Sequence, residues 1–227
     1  MKHMRPGFIG VGNMGGAIIR GYVAADAGNA ARVSAFDKDA DRLSALAAET
    51  GIFARESIAA LAESSDAIVL AVKPNNFEAV LPELAAALTG ERLVISMAAG
   101  VSIRYMAGFL GEEAKIIRIM PNMPAAVGAG MTAVSRNTRV GDAEFERALD
   151  LFRSVGRAEP VDESLMDAVT GVSGSSPAYA YMFISALAEG AAAAGMDAAQ
   201  ARIFAAQAVF GAAKMVLETG VDPLTLR

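Results

Sequence analysis

Gly7-Phe8-Ile9-Gly10-Val11-Gly12-Asn13-Met14-Gly15 joins a short apolar strand to a Gly-x-Gly-x-x-Gly turn, and a helical run from Gly16 to Ala25 follows at once. Gly10 lets the chain turn sharply, Gly12 lets a pyrophosphate approach the backbone, and Gly15 lets helix pack closely on strand. The helix that starts here offers free N–H donors and a positive dipole end to phosphates. In this strand–turn–helix setting the spacing predicts dinucleotide binding. The competing reading is a glycine-rich turn with no ligand.

The rest of the composition narrows the class. A chain of 227 residues can hold one large domain or two modest ones around a buried core. A net charge of −5 and an apolar fraction of 54% fit a globular protein with extensive buried helix. The acidic excess falls late: from residue 160 on, three basic residues face seven acidic ones. No basic stripe exists to meet a polyanion, so no nucleic-acid partner is expected. The absence of cysteine removes disulfides, thiol catalysis and thiolate metal sites, and is compatible with a reducing cytoplasm; no metal site is expected. The start Met1-Lys2-His3-Met4-Arg5 is basic, but the apolar run after it stops at glycines, so no signal peptide is expected. Ala168 to Ala188 is 21 residues without a charge. Its first half holds Gly171, Ser173, Gly174, Ser175, Ser176 and Pro177, poor material for a lipid-facing helix, so a buried helix at a subunit interface is the better reading and no membrane partner is expected.

Outward from the opening motif, strand-like and helix-like segments alternate. Strands are expected at Phe8–Gly10, Val33–Asp37, Ala67–Val72, Leu93–Ser96, Ile116–Met120 and Met131–Ser135. Helices are expected at Gly16–Ala25, Asp39–Glu49, Ile58–Ala62, Phe77–Leu88 and Ser102–Phe109. Continuous apolar runs such as Ala67-Ile-Val-Leu-Ala-Val72 suit parallel strands buried on both faces, and the alternation implies right-handed crossovers. After Pro160 the pattern turns helical and alanine-rich, over Ser164–Thr170, Pro177–Gly195 and Asp197–Thr219. The fold class expected is α/β: a Rossmann-type, mostly parallel sheet domain over 1–158, then an all-α dimerisation domain over 159–227. So few helices with so much small apolar surface are expected to bury it against a second subunit.

Ligands of such sheets sit at the carboxyl ends of the strands, which selects the turns worth reading. Ala35-Phe36-Asp37-Lys38 ends the second strand. An acid at Asp37 accepts hydrogen bonds from the adenosine ribose, whereas Lys38 and Arg42 could instead hold a 2′-phosphate, and Asp37 with Asp39 could simply start the next helix. Ala71-Val72-Lys73-Pro74 closes another strand and could present backbone, with or without an ammonium, at the cofactor edge; an ordinary surface lysine before a proline is the alternative. Ser96-Met97-Ala98-Ala99-Gly100 offers small residues that a flat ring could approach; close packing is the alternative. Met120-Pro121-Asn122-Met123-Pro124 brackets an amide with two prolines, either a rigid polar-tipped loop or a structural turn. Thr170 to Tyr179 packs hydroxyls and glycines between helical segments, with Pro177 placed to open a new helix; the arrangement could orient a polar substrate or act as a joint. His3 is the one histidine, and no lysine occurs between Lys115 and Lys214, so a reduction here lacks an obvious proton donor. A substrate that arrives already cationic, such as a protonated imine, removes that need.

These pieces, in this order, resemble the pyrroline-5-carboxylate reductases. The matching stretches are Gly7–Gly15, Ala71–Pro74, Ser96–Gly100, Arg118-Ile-Met-Pro-Asn-Met-Pro124, Met166-Asp-Ala-Val-Thr170 and Ser173-Gly-Ser-Ser-Pro-Ala-Tyr179, spread over essentially the whole chain. The resemblance implies reduction of the cyclic imine 1-pyrroline-5-carboxylate to proline with NADPH or NADH, in the cytoplasm, by a homodimer or larger ring interlocked through its C-terminal helices. It implies that Gly10, Gly12, Asn13, Met14 and Gly15 hold the pyrophosphate and that Asp37 and Lys38 flank the ribose. Ala71, Val72, Lys73, Pro74, Ser96, Ala98 and Ala99 would hold the nicotinamide half. Thr170, Ser173 and Ser175 would act on the imine, with Asn122, Gly174, Ser175 and Ser176 lining its pocket.

Two departures stand out. Ser176 occupies a position that is usually glycine in the family, which would cost roughly 1 kcal/mol if a positive φ is needed there. The sequence ends at Arg227, before a Ser-Pro-Gly-Gly-(Thr/Ala)-Thr loop and further helices that the family carries, an omission expected to affect imine binding more than cofactor binding. The alternatives are a β-hydroxyacid dehydrogenase, which the lysine gap opposes; an F420-dependent NADP reductase, not expected to carry Ser-Gly-Ser-x-Pro-Ala-Tyr; and a non-catalytic nucleotide-binding or assembly protein.

Overall fold

A computed structural model of the chain describes residues 4–88 and 92–227. The basic start Met1-Lys2-His3, with the histidine, lies outside the described residues. The chain divides into two compact units, Met1–Gly174 and Ser175–Arg227.

The first unit is built on β1 (Pro6–Ile9), β2 (Ser34–Phe36), β3 (Phe53–Ala54), β4 (Ala67–Leu70), β5 (Leu93–Ser96), β6 (Lys115–Met120), β7 (Gly130–Arg136) and β8 (Gly156–Pro160). They form one sheet in the order β3-β2-β1-β4-β5-β6-β7-β8. Every neighbouring pair is parallel except β6 with β7, as expected of a mostly parallel Rossmann-type sheet. Strand alternation sorts the core into two layers. Phe8, Val69, Ile95 and Ile117 point to the face covered by α1 (Asn13–Ala25), α2 (Ala40–Thr50) and α6 (Asp142–Arg153). Ile9, Ile68, Leu70, Val94 and Ile116 point to the face covered by α3 (Ile58–Ser64), α4 (Phe77–Ala87) and α5 (Ile103–Leu110). Helices on both faces explain why the strands read as unbroken apolar runs.

In the first unit, two strands and one α-helix lie outside the sequence expectation. β3 is two residues long, and β8, Gly-Arg-Ala-Glu-Pro, carries charges because it is the exposed edge. The helix α6 was legible in principle: Phe145, Ala148, Leu149 and Phe152 recur at helical spacing and pack on the sheet. β1 and β4 stop short of their expected ends, at Ile9 and Leu70, although Gly10 N–H still donates to the Phe36 carbonyl and Ala71 N–H to the Ile9 carbonyl, each at 2.8 Å.

The expected domain boundary was 158/159, but compactness divides the chain at Gly174/Ser175. Residues 159–174 pack with the sheet unit. Val161 N–H donates to the Val134 carbonyl at 3.0 Å. Glu163 Oε1 accepts from Ile103 N–H at 2.8 Å and from the buried Arg118 guanidinium at 3.2 Å.

The second unit is α8 (Ser176–Ala193), α9 (Ala198–Thr219) and α10 (Pro223–Leu226). Asp197 caps α9 by accepting from Ala199 and Gln200 N–H, each at 3.0 Å, and Gly220 closes it in the left-handed region. The two long helices meet through Ala188, Ala201 and Ala205, with Ile184 and Ala191 beside them. Tyr179, Met182, Phe183, Phe204, Phe210 and Met215 remain exposed. Among the described residues no helix is long and apolar enough to cross a membrane.

Candidate functional site

Three glycines of the opening motif face different surroundings. Gly10 sits at φ +99°, and a Cβ there would lie 2.7 Å from the Ala71 carbonyl oxygen. A Cβ on Gly15 would lie 2.4 Å from the Gly10 carbonyl oxygen. The chain packed on itself excludes side chains at both positions. Around Gly12 a Cβ would meet nothing within 4 Å. Of the three, only Gly12 is placed so that a side chain would enter open space the fold does not use, as a cradle for an approaching pyrophosphate requires. Gly12 is also the N-cap of α1, which has no side-chain cap and no acidic residue in its first turn. The donors at the start of α1 are therefore available to an anion.

That space is the middle of a larger cleft at the carboxyl ends of the strands. One part, about 570 Å³, is bounded by Gly12–Met14 after β1, Ala71–Pro74 after β4, Met97–Ala99 after β5 and Met120-Pro121 at the end of β6. The other, about 340 Å³, runs past Gly10, Phe36, Asp37, Lys38 and Asn76. The two parts share Gly12, Arg42, Ala71, Val72 and Lys73. Ala71 and Val72, which follow the end of β4 at Leu70, border both.

Asp37 helps shape this floor. Its Oδ2 accepts from Val11 N–H at 2.7 Å and its Oδ1 from Asp39 N–H at 2.9 Å, so one carboxylate pins the glycine-rich turn to the end of β2. The expected alternative, that Asp37 and Asp39 start a helix, holds for Asp39, whose Oδ1 caps α2 through Arg42 N–H at 3.0 Å. Ser96 does not face the cleft: it is fully buried, and its Oγ accepts from Ala98 N–H at 3.3 Å, shaping the turn that carries Ala98 and Ala99. Gly15 likewise lies behind the cleft wall. Met120, Pro121 and Asn76 are lining residues absent from the expected set; Met120 and Pro121 were legible as the start of the double-proline motif, whereas Asn76 gave no local signal.

The Thr170–Ser175 segment differs from the loop expected. A short helix α7 (Met166–Val169) runs directly into a π-helical turn, Thr170–Gly174. Such turns often mark functional segments. The Thr170 hydroxyl donates to the Met166 carbonyl at 2.8 Å, and the Ser173 hydroxyl to the Val169 carbonyl at 3.2 Å. Neither hydroxyl is a free donor, though each oxygen keeps lone pairs to accept with. Upstream, the Ser164 hydroxyl and then its N–H hold the exposed Asp162 carboxyl below its ordinary pKa and cap the turn that leads into α7.

Asn122 was expected to line a substrate pocket, but both ends of its amide are engaged within the protein. Its Nδ2 donates to the Ser173 carbonyl at 2.9 Å, and its Oδ1 accepts from Met131 N–H at 2.9 Å. The side chain is buried. Asn122 thus ties the π-turn to the start of β7, and Gly174 beside it is held close, since a Cβ there would lie 2.8 Å from Met120 Cε. Ser175 precedes α8 with no side-chain cap bond, and Ser176 is the first residue of that helix. No described non-glycine residue has positive φ, so strain at Ser176 is ruled out.

Comparison with known proteins agrees with this geometry. Residues 5–100 match the family described as NADP oxidoreductase coenzyme F420-dependent, and residues 163–227 match pyrroline-5-carboxylate reductase dimerisation. The chain is 47% identical over 221 residues to the pyrroline-5-carboxylate reductase of Escherichia coli (strain K12), spanning 97% of this chain and 82% of that protein. It is 40% identical over 227 residues to that of Methanosarcina acetivorans, covering 100% and 84%. Among solved structures, the pyrroline-5-carboxylate reductase from Coxiella burnetii superposes with a TM-score of 0.90 at 33% identity over 100% of this chain and 84% of that one. The Plasmodium falciparum pyrroline carboxylate reductase with NADP bound gives 0.89 at 29% identity, covering 100% and 83%. A prephenate dehydrogenase from Aquifex aeolicus, at 17% identity and a TM-score of 0.63, shares the fold alone. The match over residues 163–227 and the exposed apolar helices of the second unit together support self-association. Fold, cleft and sequence relation converge, and the chain belongs to the pyrroline-5-carboxylate reductase family.

Proposed function

We propose that this chain reduces the C=N bond of 1-pyrroline-5-carboxylate to give proline, as an NAD(P)H-dependent oxidoreductase of proline biosynthesis. The observation that carries the reading is the open space beside Gly12 within a strand-end cleft, in a chain 47% identical to a reductase of that name. The residues present fit a dinucleotide: a glycine whose Cβ would enter the cradle, uncapped N–H donors at the start of α1, and small residues Ala71, Ala98 and Ala99 where a flat ring could lie. When bound, the reduced nicotinamide supplies the hydride.

The chain's own part is to bind, orient and exclude water. Gly10 to Gly15, with Asn13 and Met14, hold the pyrophosphate side. Ala71 to Pro74 and Ala98-Ala99 hold the nicotinamide half, with Ser96 fixing the turn from behind. Thr170, Ser173 and Ser175 face the imine. Because the Thr170 and Ser173 hydroxyls donate to backbone carbonyls, their oxygens act as acceptors toward a protonated imine, whose proton stays on nitrogen as the amine forms. A substrate that brings its own proton fits a cleft whose described lining holds no histidine. The working form is a homodimer or larger ring assembled through α8 and α9, in the cytoplasm.

The test is oxidation of NADPH and NADH by the purified protein with racemic pyrroline-5-carboxylate, followed by loss of nicotinamide absorbance. Imine-dependent oxidation supports the proposal. Cofactor binding without imine-dependent turnover would replace it with the non-catalytic reading.

A further inference from the structure

The cofactor choice left open by Asp37 beside Lys38 and Arg42 is decided by how these groups are already engaged. We infer that this chain binds NADH in preference to NADPH, with Asp37 as the residue that discriminates. The inference rests on the dinucleotide reading of the cleft and specifies the cofactor it takes.

Asp37 stands at the end of β2, where a doubly wound sheet places the adenosine ribose. Its side chain is only 12% exposed and borders the smaller part of the cleft. Two backbone N–H groups, from Val11 and Asp39, fix its orientation, one on each oxygen. A carboxylate has about four acceptor sites, so each oxygen keeps one for a ribose hydroxyl. A 2′-phosphate would instead set a doubly negative group against a carboxylate that cannot swing away without releasing Val11. Like charges at such distance, partly shielded from water, repel strongly.

The cations nearby do not reverse this. Arg42 is the natural phosphate reader, but its Nη2 lies 2.7 Å from Asp39 Oδ2 and its Nη1 3.9 Å from Asp37 Oδ2. One guanidinium therefore already serves two carboxylates. Lys38 is exposed, and from Asp37 to Arg42 three acids outnumber two bases.

The test is a fluorescence titration of NADH and of NADPH, without imine, into the wild-type protein and the variants Asp37→Ser and Arg42→Ala. Thermal melts alongside check that the variants fold. The readout is the ratio of the two dissociation constants, which a general loosening of the glycine turn would not move. NADH should bind roughly tenfold or more tightly than NADPH, and Asp37→Ser should erase most of that ratio. Arg42→Ala should leave it nearly unchanged. Tighter binding of NADPH by the wild type, or a ratio unmoved by Asp37→Ser, overturns the inference. Selective loss of NADPH in Arg42→Ala would name Arg42 as a phosphate reader and overturn it too. Failure of both cofactors to bind would strike the dinucleotide reading itself, and this inference with it.

Discussion

The two units of this chain bury themselves to opposite degrees. In Met1–Gly174, a sheet covered on both faces hides Phe8, Phe77, Phe152 and Ile18 almost completely. In Ser175–Arg227, the buried residues are alanines, while Phe183 and Phe204 are 58% and 65% exposed. The first unit has a core of its own, and its cleft is set by strand ends that need no second molecule. The second holds its large apolar residues outward, which costs stability unless another surface covers them. Binding of cofactor and assembly of subunits are therefore expected to be separable, so that each can be broken alone.

The largest effect is expected in the second unit. Phe204→Glu places a charge where a partner's apolar surface is needed and should shift the protein to monomers, at a cost of about 2 kcal/mol or more in association. Light scattering after size exclusion reads this directly, and NADH affinity should hold. An assembly unchanged by the substitution would mean that this face is not the one that associates.

Next come two glycines a single residue apart. Gly10→Ala forces a Cβ against the Ala71 carbonyl at a left-handed φ and should lower the melting temperature by the equivalent of about 1–3 kcal/mol. Gly12→Val enters open space, so the melt should change by no more than about 1 kcal/mol, the difference between glycine and valine at an N-cap. Its cofactor affinity should fall by roughly a hundredfold or more, because the side chain fills the pyrophosphate path. Normal binding by Gly12→Val would remove the pyrophosphate from that place.

A smaller effect is expected where the sheet holds the π-turn. Asn122→Ala strands the Ser173 carbonyl and the Met131 N–H, worth about 1–3 kcal/mol of stability. Because Asn122 stands outside the cleft lining, the KM for the imine should rise while the cofactor dissociation constant stays put. A change in cofactor binding alone would place Asn122 in the other half of the site. Smallest of all, Ser176→Gly alters the first residue of α8, where no unusual backbone angle calls for glycine. Stability should shift by less than about 1 kcal/mol, and turnover should hold or rise. A clear loss of turnover would give the serine hydroxyl a role of its own.

Much of the first unit was legible because its signals are local. Strand-length apolar runs, the spacing of Gly10, Gly12 and Gly15, and prolines at strand ends each depend on a few neighbouring residues. What escaped was long-range. β8, Gly-Arg-Ala-Glu-Pro, has no strand pattern of its own until β7 pairs with it, and the two-residue β3 has too little sequence to carry a pattern. In the site, Ser96 reads as a cleft residue by its place after β5, yet its side chain is directed inward to Ala98 N–H. Asn122 reads as a polar tip between prolines, and only the fold brings Ser173 and Met131 to its two ends. The hydroxyls of 170–173 suggested a loop because sequence does not distinguish a π-turn from a joint.

By itself, the sequence determined the layered α/β plan, the dinucleotide turn, the helical second part and the family, since each is written in residue type at short spacing. The tertiary structure alone decided which glycine borders a ligand's space, what Asp37 and Asn122 hold, and where the chain divides. Those outcomes depend on groups far apart in sequence meeting within hydrogen-bonding distance, and a contact between Val11 and Asp37, or Asn122 and Ser173, exists only once the sheet has set its register.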